Sequence, residues 1–451
     1  MDRDEVRRQR RQEYLQRKKE FKRKTWSFVI GITILFSKEV SFMKEKKDKS
    51  IYISSAIFIV LMGVISMMSD MTHEGAKSIY GSFLSLAGAT PHVISLISGL
   101  GEFIGCSLIL VTGAIANKTK KYWTMTIIGY MINLLAIPML AITWKNGWVF
   151  ACTLILIERI GKAIRKPAKS TLVSFSSKNL GEGKSFAFVE FLDQIGAFVG
   201  PLILTLVLSL KNTTDLFNSY RMCFLVLGIP AILTLIILLF AKMKYPNPEN
   251  LEEENNKNEN DSKFKISKSF IFYLIAIGLC AAGFIDFPLI TYHVGNLNII
   301  KVEYLPILYS IAMLIDAFAA LLFGVLFDKF GIKVLVLSTL LSFSFPLFIF
   351  NYSSKPMIYI GVVMWGCGMG AQESILKAAV AKLVPKETRS LGFALFEGIF
   401  GLCWFIGSYV LGWLYEFDLI ALIITSMSFA GISIIFYVLS SLCGENNKVK
   451  D

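Results

Sequence analysis

From Ile51 to Leu442 the chain repeats one pattern: apolar runs of about 20 residues, separated by short polar breaks. A bilayer core about 30 Å thick takes about 20 helical residues to cross. Within lipid the backbone must satisfy its own hydrogen bonds, so repeated runs of this length predict transmembrane helices. The breaks predict twelve spans, at 51–69, 91–116, 122–143, 147–166, 185–210 and 222–241, then 270–293, 302–327, 332–350, 356–382, 388–415 and 418–441. The expected fold class is an all-α membrane protein of twelve transmembrane helices in two six-helix, pseudo-symmetric halves. The halves are 51–241 and 270–442. They flank a polar linker, 242–269, whose Asn/Glu-rich run and two prolines predict a solvated segment.

Two end segments lie outside this pattern. Residues 443–451 form a polar tail, and residues 1–50 a basic leader whose first 42 residues carry 12 Lys/Arg against 6 Asp/Glu. The apolar stretch Trp26–Phe36 is too short to span, and no small-residue cleavage site follows it. Lys38-Glu39-Val40 is encodable as a ribosome-binding sequence just upstream of the Met43 codon. Translation is therefore expected to start at Met43, the alternative being a genuine basic extension. After residue 50, 22 Lys/Arg fall on the side of the termini and linker. Six fall on the other side: Lys77, Lys145, Lys211, Arg221, Lys301 and Lys355. This split predicts a multi-pass protein of the cell membrane with both termini cytoplasmic.

Composition narrows the class further. Hydrophobic residues make up 54% and charged residues 18%, below the roughly 25% charged content of soluble domains. The net charge of +13 is read as loops facing an anionic bilayer surface, with no nucleic-acid partner. The seven cysteines form no CxxC pair and lie in or beside apolar runs, as reduced small hydrophobes. No metal or organic cofactor is expected. Neither a phosphate-binding loop nor a nucleophile–base motif is present, so the chain does not read as an enzyme.

The halves resemble each other. Gly113–Lys118 after span 2 matches Gly324–Lys329 after span 8, Phe186–Glu190 matches Phe393–Glu397, and Gly200 falls on Gly407. At these residues the chain resembles the major facilitator superfamily over about residues 51–441. That family carries a loop signature G-x-x-x-D-[RK]-x-G-x-[RK], kept here as Gly324, Asp328, Lys329, Gly331 and Lys333. The first copy reads Gly113, Asn117, Lys118, Lys120 and Lys121, with Asn where the family has Asp. The resemblance implies a latch between the halves on the cytoplasmic side, made by Asn117, Lys118, Gly324, Asp328, Lys329 and Gly331. It also implies a proton-linked role for Arg159 in span 4, although Ala163 departs from the family's glycine. Gly196, Gly200 and Pro201 look like part of the antiporter signature of drug exporters; Leu204-Thr205 stands where a further glycine pair should follow.

Charges inside the spans are costly, about 2.5–3.5 kcal/mol each near the bilayer centre. Eleven are expected there: Glu102, Glu158, Arg159, Lys162, Glu190, Asp193, Asp286, Asp316, Glu373, Lys377 and Glu397. Acids outnumber bases eight to three, which leaves some carboxylates to carry protons. Glu102, Arg159, Glu190, Asp193 and Asp316 are the relay candidates. For Glu190 the alternative is pairing with loop cations, and for Glu158–Lys162 and Glu373–Lys377 simple i,i+4 neutralisation. For Asp286, two residues before Pro288 where a helix is often broken, the alternative is a hydrogen bond to freed backbone groups. Asp70 and Glu74 straddle His73 at the outer end of span 1, a spacing that could bind a metal or a proton but reads as a solvated cluster. The predicted function is secondary active transport of a small organic solute by alternating access, as proton-coupled efflux, by a single copy in the lipid bilayer. Import by a symporter or uniporter is the alternative, and a membrane enzyme or receptor on a transporter fold the remote one.

Overall fold

The computed structural model describes residues 46–177, 180, 182–210, 215–251, 267–351, 354–384 and 389–448. The expected start at Met43, linker residues 252–266, tail residues 449–451 and the side chains of Asp328 and Glu373 lie outside the described residues. Among the described residues all regular structure is helical. The first half holds α1 (Lys46–Leu86), α2 (Pro91–Thr119), α3 (Tyr122–Met139), α4 (Trp148–Ser177), α5 (Glu182–Leu210) and α6 (Leu216–Lys244). The second holds α7 (Lys268–Gly283), α8 (Phe287–Asn296), α9 (Leu305–Phe330), α10 (Lys333–Ser342), α11 (Lys355–Leu383), α12 (Arg389–Phe417) and α13 (Leu419–Lys448). With α7 and α8 stacked as one span, these give the twelve spans. Among the described residues ten are long and apolar enough to cross a membrane by length and composition alone. The other two are α4 and α11; α4 carries Glu158, Arg159, Lys162, Arg165, Lys166 and Lys169.

The helix ends follow local chemistry. Thr90 caps α2 by accepting from the Val93 amide, with Pro91 in the first turn; Ser267 caps α7 through Phe270, and Asp215 caps α6 through Asn218. Gly331 ends α9 at φ 65°, a conformation that favours glycine.

Three predicted boundaries are corrected. Span 1 does not stop at residue 69: α1 continues to Leu86, because its polar residues find buried partners rather than water. Lys77, counted among the outer charges, is therefore a buried side chain inside α1. Span 4 does not stop at 166: α4 runs through Pro167 to Ser177. Span 7 is not continuous. It breaks at Phe284–Asp286, and Pro288 sits in the first turn of α8, where its missing N–H costs nothing.

The face holding Lys46, the stretch after Lys244 and the end of α13 is called here the terminal face, and the opposite one the far face. In the first half α5 lies against α1 with almost no spacer. A Cβ on Gly196 would stand 2.1 Å from the Met67 carbonyl oxygen, and one on Gly200 2.3 Å from that of Met71. The second half repeats this contact, since a Cβ on Gly407 in α12 would stand 2.1 Å from the Ala282 oxygen of α7. The offset of 211 residues that carries Gly113 onto Gly324 also carries Met71 onto Ala282. The two halves are thus parallel repeats in packing as well as in sequence. They meet mainly along α2–α12, α5–α9 and α1–α8. Five cross-half hydrogen bonds are described: Ser82–Thr291, His92–Glu416, Ser95–Ser408, Tyr309–Glu74 and Ser310–Phe198. All five lie in the far-face half of their helices, so the far face is closed.

Candidate functional site

Asp70, His73, Glu74 and Lys77 fall at i, i+3, i+4 and i+7 on α1, a single helical stripe. Facing it, α4 presents Glu158, Arg159, Lys162, Arg165 and Lys169. The stripes interlock about the wholly buried His73. Its Nδ1 lies 2.7 Å from Glu158 Oε1 and its Nε2 3.5 Å from Glu74 Oε1. Glu74 also lies 4.0 Å from the Lys77 ammonium and 3.9 Å from that of Lys162, and it accepts a hydrogen bond from the Tyr309 hydroxyl of the other half. Arg165 reaches Asp70 at 3.8 Å and lies over the Tyr130 ring, 4.3 Å from its centroid.

Other helices complete the network. From α2, Glu102 accepts Arg159 Nη1 at 2.9 Å, while Arg159 Nε lies 3.6 Å from Glu158. From α3, Asn133 donates to both the carboxylate and the backbone oxygen of Glu158. From α5, Asp193 meets Lys169 at 3.6 Å, and Lys169 also bonds Ser66 of α1. Tight α3–α4 packing sets this register, for a Cβ on Gly161 would stand 2.4 Å from the Asn133 nitrogen. Burial differs within the network. The Glu158 side chain is 1% exposed, whereas Glu102 is 31% exposed and stands at its accessible edge.

The second half faces this layer with different chemistry. The 211-residue offset sends His73 to Phe284, Glu74 to Ile285 and Lys77 to Pro288. Where α1 is continuous and charged, α7–α8 is broken and aromatic. Phe284 packs against Phe345, Trp365 and Trp404 at ring separations of 5.3, 5.6 and 5.5 Å. Trp365 donates to the Ile285 carbonyl freed by the break, at 2.8 Å. Asp286 accepts from Trp404 Nε1 at 3.1 Å and from Ser408 Oγ at 2.9 Å. The expected break is therefore present, but Asp286 is held by α12 side chains rather than by freed backbone groups.

The relay candidates separate into distinct environments. Glu102 and Arg159 are one ion pair. Asp193 belongs to the same network through Lys169, while Glu190, one turn away, is exposed. Asp316 is buried in α9, where its backbone oxygen would stand 2.3 Å from a Cβ on Gly370. The Glu158–Lys162 neutralisation is not the arrangement found, since Lys162 turns to Glu74 at 3.9 Å; Lys377 lies 3.7 Å from Glu397, and its expected partner Glu373 lies outside the described side chains. Within the network charge is balanced, Asp70, Glu74, Glu102, Glu158 and Asp193 against Lys77, Arg159, Lys162, Arg165 and Lys169; the other expected acids, Glu190, Asp286, Asp316, Glu373 and Glu397, lie outside this balance. Sequence reasoning grouped Asp70, His73 and Glu74 but placed them in solvent, and missed Lys77, Arg165 and Lys169 as network members; the i, i+3, i+4, i+7 spacing of the four α1 residues was the available signal. Of the latch residues, Asn117, Lys118 and Lys329 are exposed, Asn117 accepting from Lys120 at 3.2 Å. A Cβ on Gly324 would meet nothing within 4 Å. Gly331 closes α9 by donating to Phe327 at 2.8 Å.

A groove of about 460 Å³ between α7 and α12 is lined by Leu274, Gly278, Ile399, Cys403 and other apolar residues, with no charged side chain; it is separate from the network. Among the described residues no group of His, Cys, Asp and Glu has the geometry of a metal site.

A sequence model of the Major Facilitator Superfamily matches residues 50–331 and 287–447. An uncharacterised protein of Mycobacterium tuberculosis is 34% identical over 370 residues, 81% of this chain and 88% of its own length. An uncharacterised MFS-type transporter of Methanocaldococcus jannaschii is 25% identical over 374 residues, 79% and 88% of the two chains. Among solved structures, a nucleoside transporter superposes with a TM-score of 0.67 at 15% identity, covering 86% of this chain and 99% of its own. A peptide transporter in complex with sulfate gives 0.68 at 12% identity, with 86% and 94% covered. A bacterial homologue of the human lysosomal transporter Spinster, inward-facing and unoccupied, gives 0.64 at 13% identity, with 86% and 97% covered. These structural likenesses concern the fold.

Proposed function

Because the chain belongs to the major facilitator superfamily, and is thus a multi-pass membrane transporter rather than an enzyme, we propose that it exports a small organic solute in exchange for protons. The solute crosses between the halves by alternating access, in the cell membrane, with a single copy as the working unit. Both termini lie in the cytoplasm, an orientation supported by the Lys/Arg split. The far face is then external, and it is the external side that is closed in the described arrangement.

One observation carries the reading: Arg159, buried in mid-span, is held between the accessible Glu102 and the buried Glu158. Arginine stays charged at every working pH, so a proton or solute that engages Glu102 changes the balance on Arg159 without removing its charge. Asp193 with Lys169 is a second such pair nearer the terminal face. Glu190 and Asp316 are proposed as lesser members of the relay. The direction rests on the Gly196-x-x-x-Gly200-Pro201 motif. The test is proteoliposomes screened for solute-dependent proton flux under an imposed pH gradient of either sign. Solute leaving the compartment that gains protons supports export. Solute and protons moving together would establish import, and transport indifferent to the gradient would remove proton coupling.

A further inference from the structure

The proton-coupled reading leaves open how a proton changes the shape of the protein, and His73 supplies a route. Its ring lies between two carboxylates on different helices, Glu158 on α4 at Nδ1 and Glu74 on α1 at Nε2. Neither ring nitrogen makes a hydrogen bond among the described residues, so the contacts are electrostatic: a neutral imidazole carries no charge for either carboxylate, whereas an imidazolium attracts both. Glu74 is also a residue through which this network touches the other half, together with Lys77, whose ammonium lies 5.9 Å from the Tyr309 ring centroid. Its Oε1 faces His73 and Lys162, and its Oε2 faces Lys77 and accepts from Tyr309.

We propose that His73 is the proton-binding residue that holds the far face closed, acting through Glu74 on Tyr309 of the opposite half. This rests on proton-coupled transport as read above. The proton adds to the Nε2 lone pair, and no other covalent bond changes. With the proton bound, Nε2 attracts Glu74 Oε1 and fixes the carboxylate so that Oε2 stays presented to the Tyr309 hydroxyl. Without it, the lone pair of Nε2 faces a carboxylate oxygen and repels it. Glu74 then turns toward Lys162 and Lys77, and the cross-half bond loosens. Protonated protein is thereby biased toward external closure, as exchange of an inward-moving proton for an outward-moving solute requires.

The charged groups around His73 are accounted for helix by helix. α1 gives Asp70, Glu74 and Lys77; α4 gives Glu158, Arg159, Lys162 and Arg165; α2 gives Glu102, bound to Arg159. α5 gives Asp193, bound to Lys169. α3 contributes the Asn133 amide and the Tyr130 ring, and α9 the Tyr309 hydroxyl. Asp286, at the start of α8, is occupied by Trp404 and Ser408. The charged residues of α6, Arg221, Lys242 and Lys244, lie near its ends.

The test measures closure directly and needs no solute. Spin labels are placed on Lys145→Cys and Lys301→Cys, exposed far-face positions in opposite halves, with Cys367, Cys403 and Cys443 changed to Ser and the full chain in lipid nanodiscs. Pulsed electron–electron distances are recorded from about pH 5 to pH 8. The wild type is expected to gain short distances on acidification, and His73→Gln to lose that response. Tyr309→Phe, which keeps the ring but removes the donor, is expected to show fewer short distances at every pH and no acid gain. A wild type whose distances ignore pH overturns the proposal, as does His73→Gln or Tyr309→Phe responding as the wild type does. Should the distances behave as expected while an imposed pH gradient moves no solute, the transport reading fails and the His73 switch stands. Should solute follow the gradient while His73→Gln keeps its distance response, the reverse holds.

Discussion

Replacing Gly200 with Ala is expected to push α1 away from α5, and the size of the effect follows from the contact itself. The added Cβ would lie 2.3 Å from the Met71 oxygen and 3.1 Å from both the Gly75 nitrogen and the Met71 carbonyl carbon. All three are backbone atoms, so no side chain can turn away. A close C···O contact is about 3.3 Å, and the helices must therefore part by about 1 Å. Overpacking of this kind costs about 1–3 kcal/mol. Alanine also returns up to about 1 kcal/mol of helix propensity, so one variant alone would mix two effects. Gly105→Ala separates them: Gly105 lies within α2, and its added Cβ meets nothing within 4 Å. The propensity gain is common to both variants and drops out of their difference. Gly200→Ala is expected to be less stable than Gly105→Ala by about 1–3 kcal/mol, read as a separation of apparent melting temperatures in one detergent. Gly407→Ala, against Ala282, should behave like Gly200→Ala. If Gly200→Ala and Gly105→Ala melt together, the close α1–α5 approach is wrong.

The remaining predictions concern orientation and the polar groups. A cysteine at Lys145 should react with an impermeant maleimide in intact cells and one at Lys242 should not; the opposite labelling would place the termini outside. Glu102→Gln removes the accessible partner of Arg159 and is expected to cut gradient-driven transport by about tenfold or more, a barrier change of about 1.4 kcal/mol, while solute exchange persists; an unchanged gradient response would remove Glu102 from the relay. Arg159→Lys keeps the charge but loses the planar fork that reaches Glu102 and Glu158 together, so coupling should fall with it, and full coupling in a proteoliposome flux assay would contradict that role. Asp286→Ala leaves the Trp404 N–H buried without its acceptor and should cost about 1–3 kcal/mol; Asp286→Asn should recover most of it in the same thermal assay, and equal losses would show that the carboxylate charge matters more than the hydrogen bonds.

Most of the architecture was legible because a span announces itself through composition: the runs opening at Pro91, Tyr122 and Met222 read as helices with no knowledge of their neighbours. The duplication was legible through Gly200 and Gly407, whose role is to let one backbone approach another. The charge network was not. Asp70, His73, Glu74 and Lys77 are, one by one, loop-like residues, and counting hydropathy along a line ends the span before them. Only the facing residues on α4, some 90 positions away in sequence, make that stripe affordable inside a membrane. The break at Phe284–Asp286 was half legible, since Pro288 signals a helix start while the acceptors and donors around Asp286 come from α12.

The length of α1 has a mechanical consequence. It is one uninterrupted helix of 41 residues, about 60 Å at 1.5 Å per residue, and α5 grips it at Met67 and Met71. From the middle of that grip the far end, Leu86, is about 25 Å away and the terminal end, Lys46, about 35 Å. Such a rod is a lever with unequal arms. Rocking it through a given angle moves its terminal end about 1.4 times as far as its far end. Glu74 sits only about 7–8 Å from the pivot, so a displacement of about 1 Å there corresponds to several ångströms at either mouth. Sub-ångström adjustments beside His73 are thereby geared up to the scale of a solute passing through.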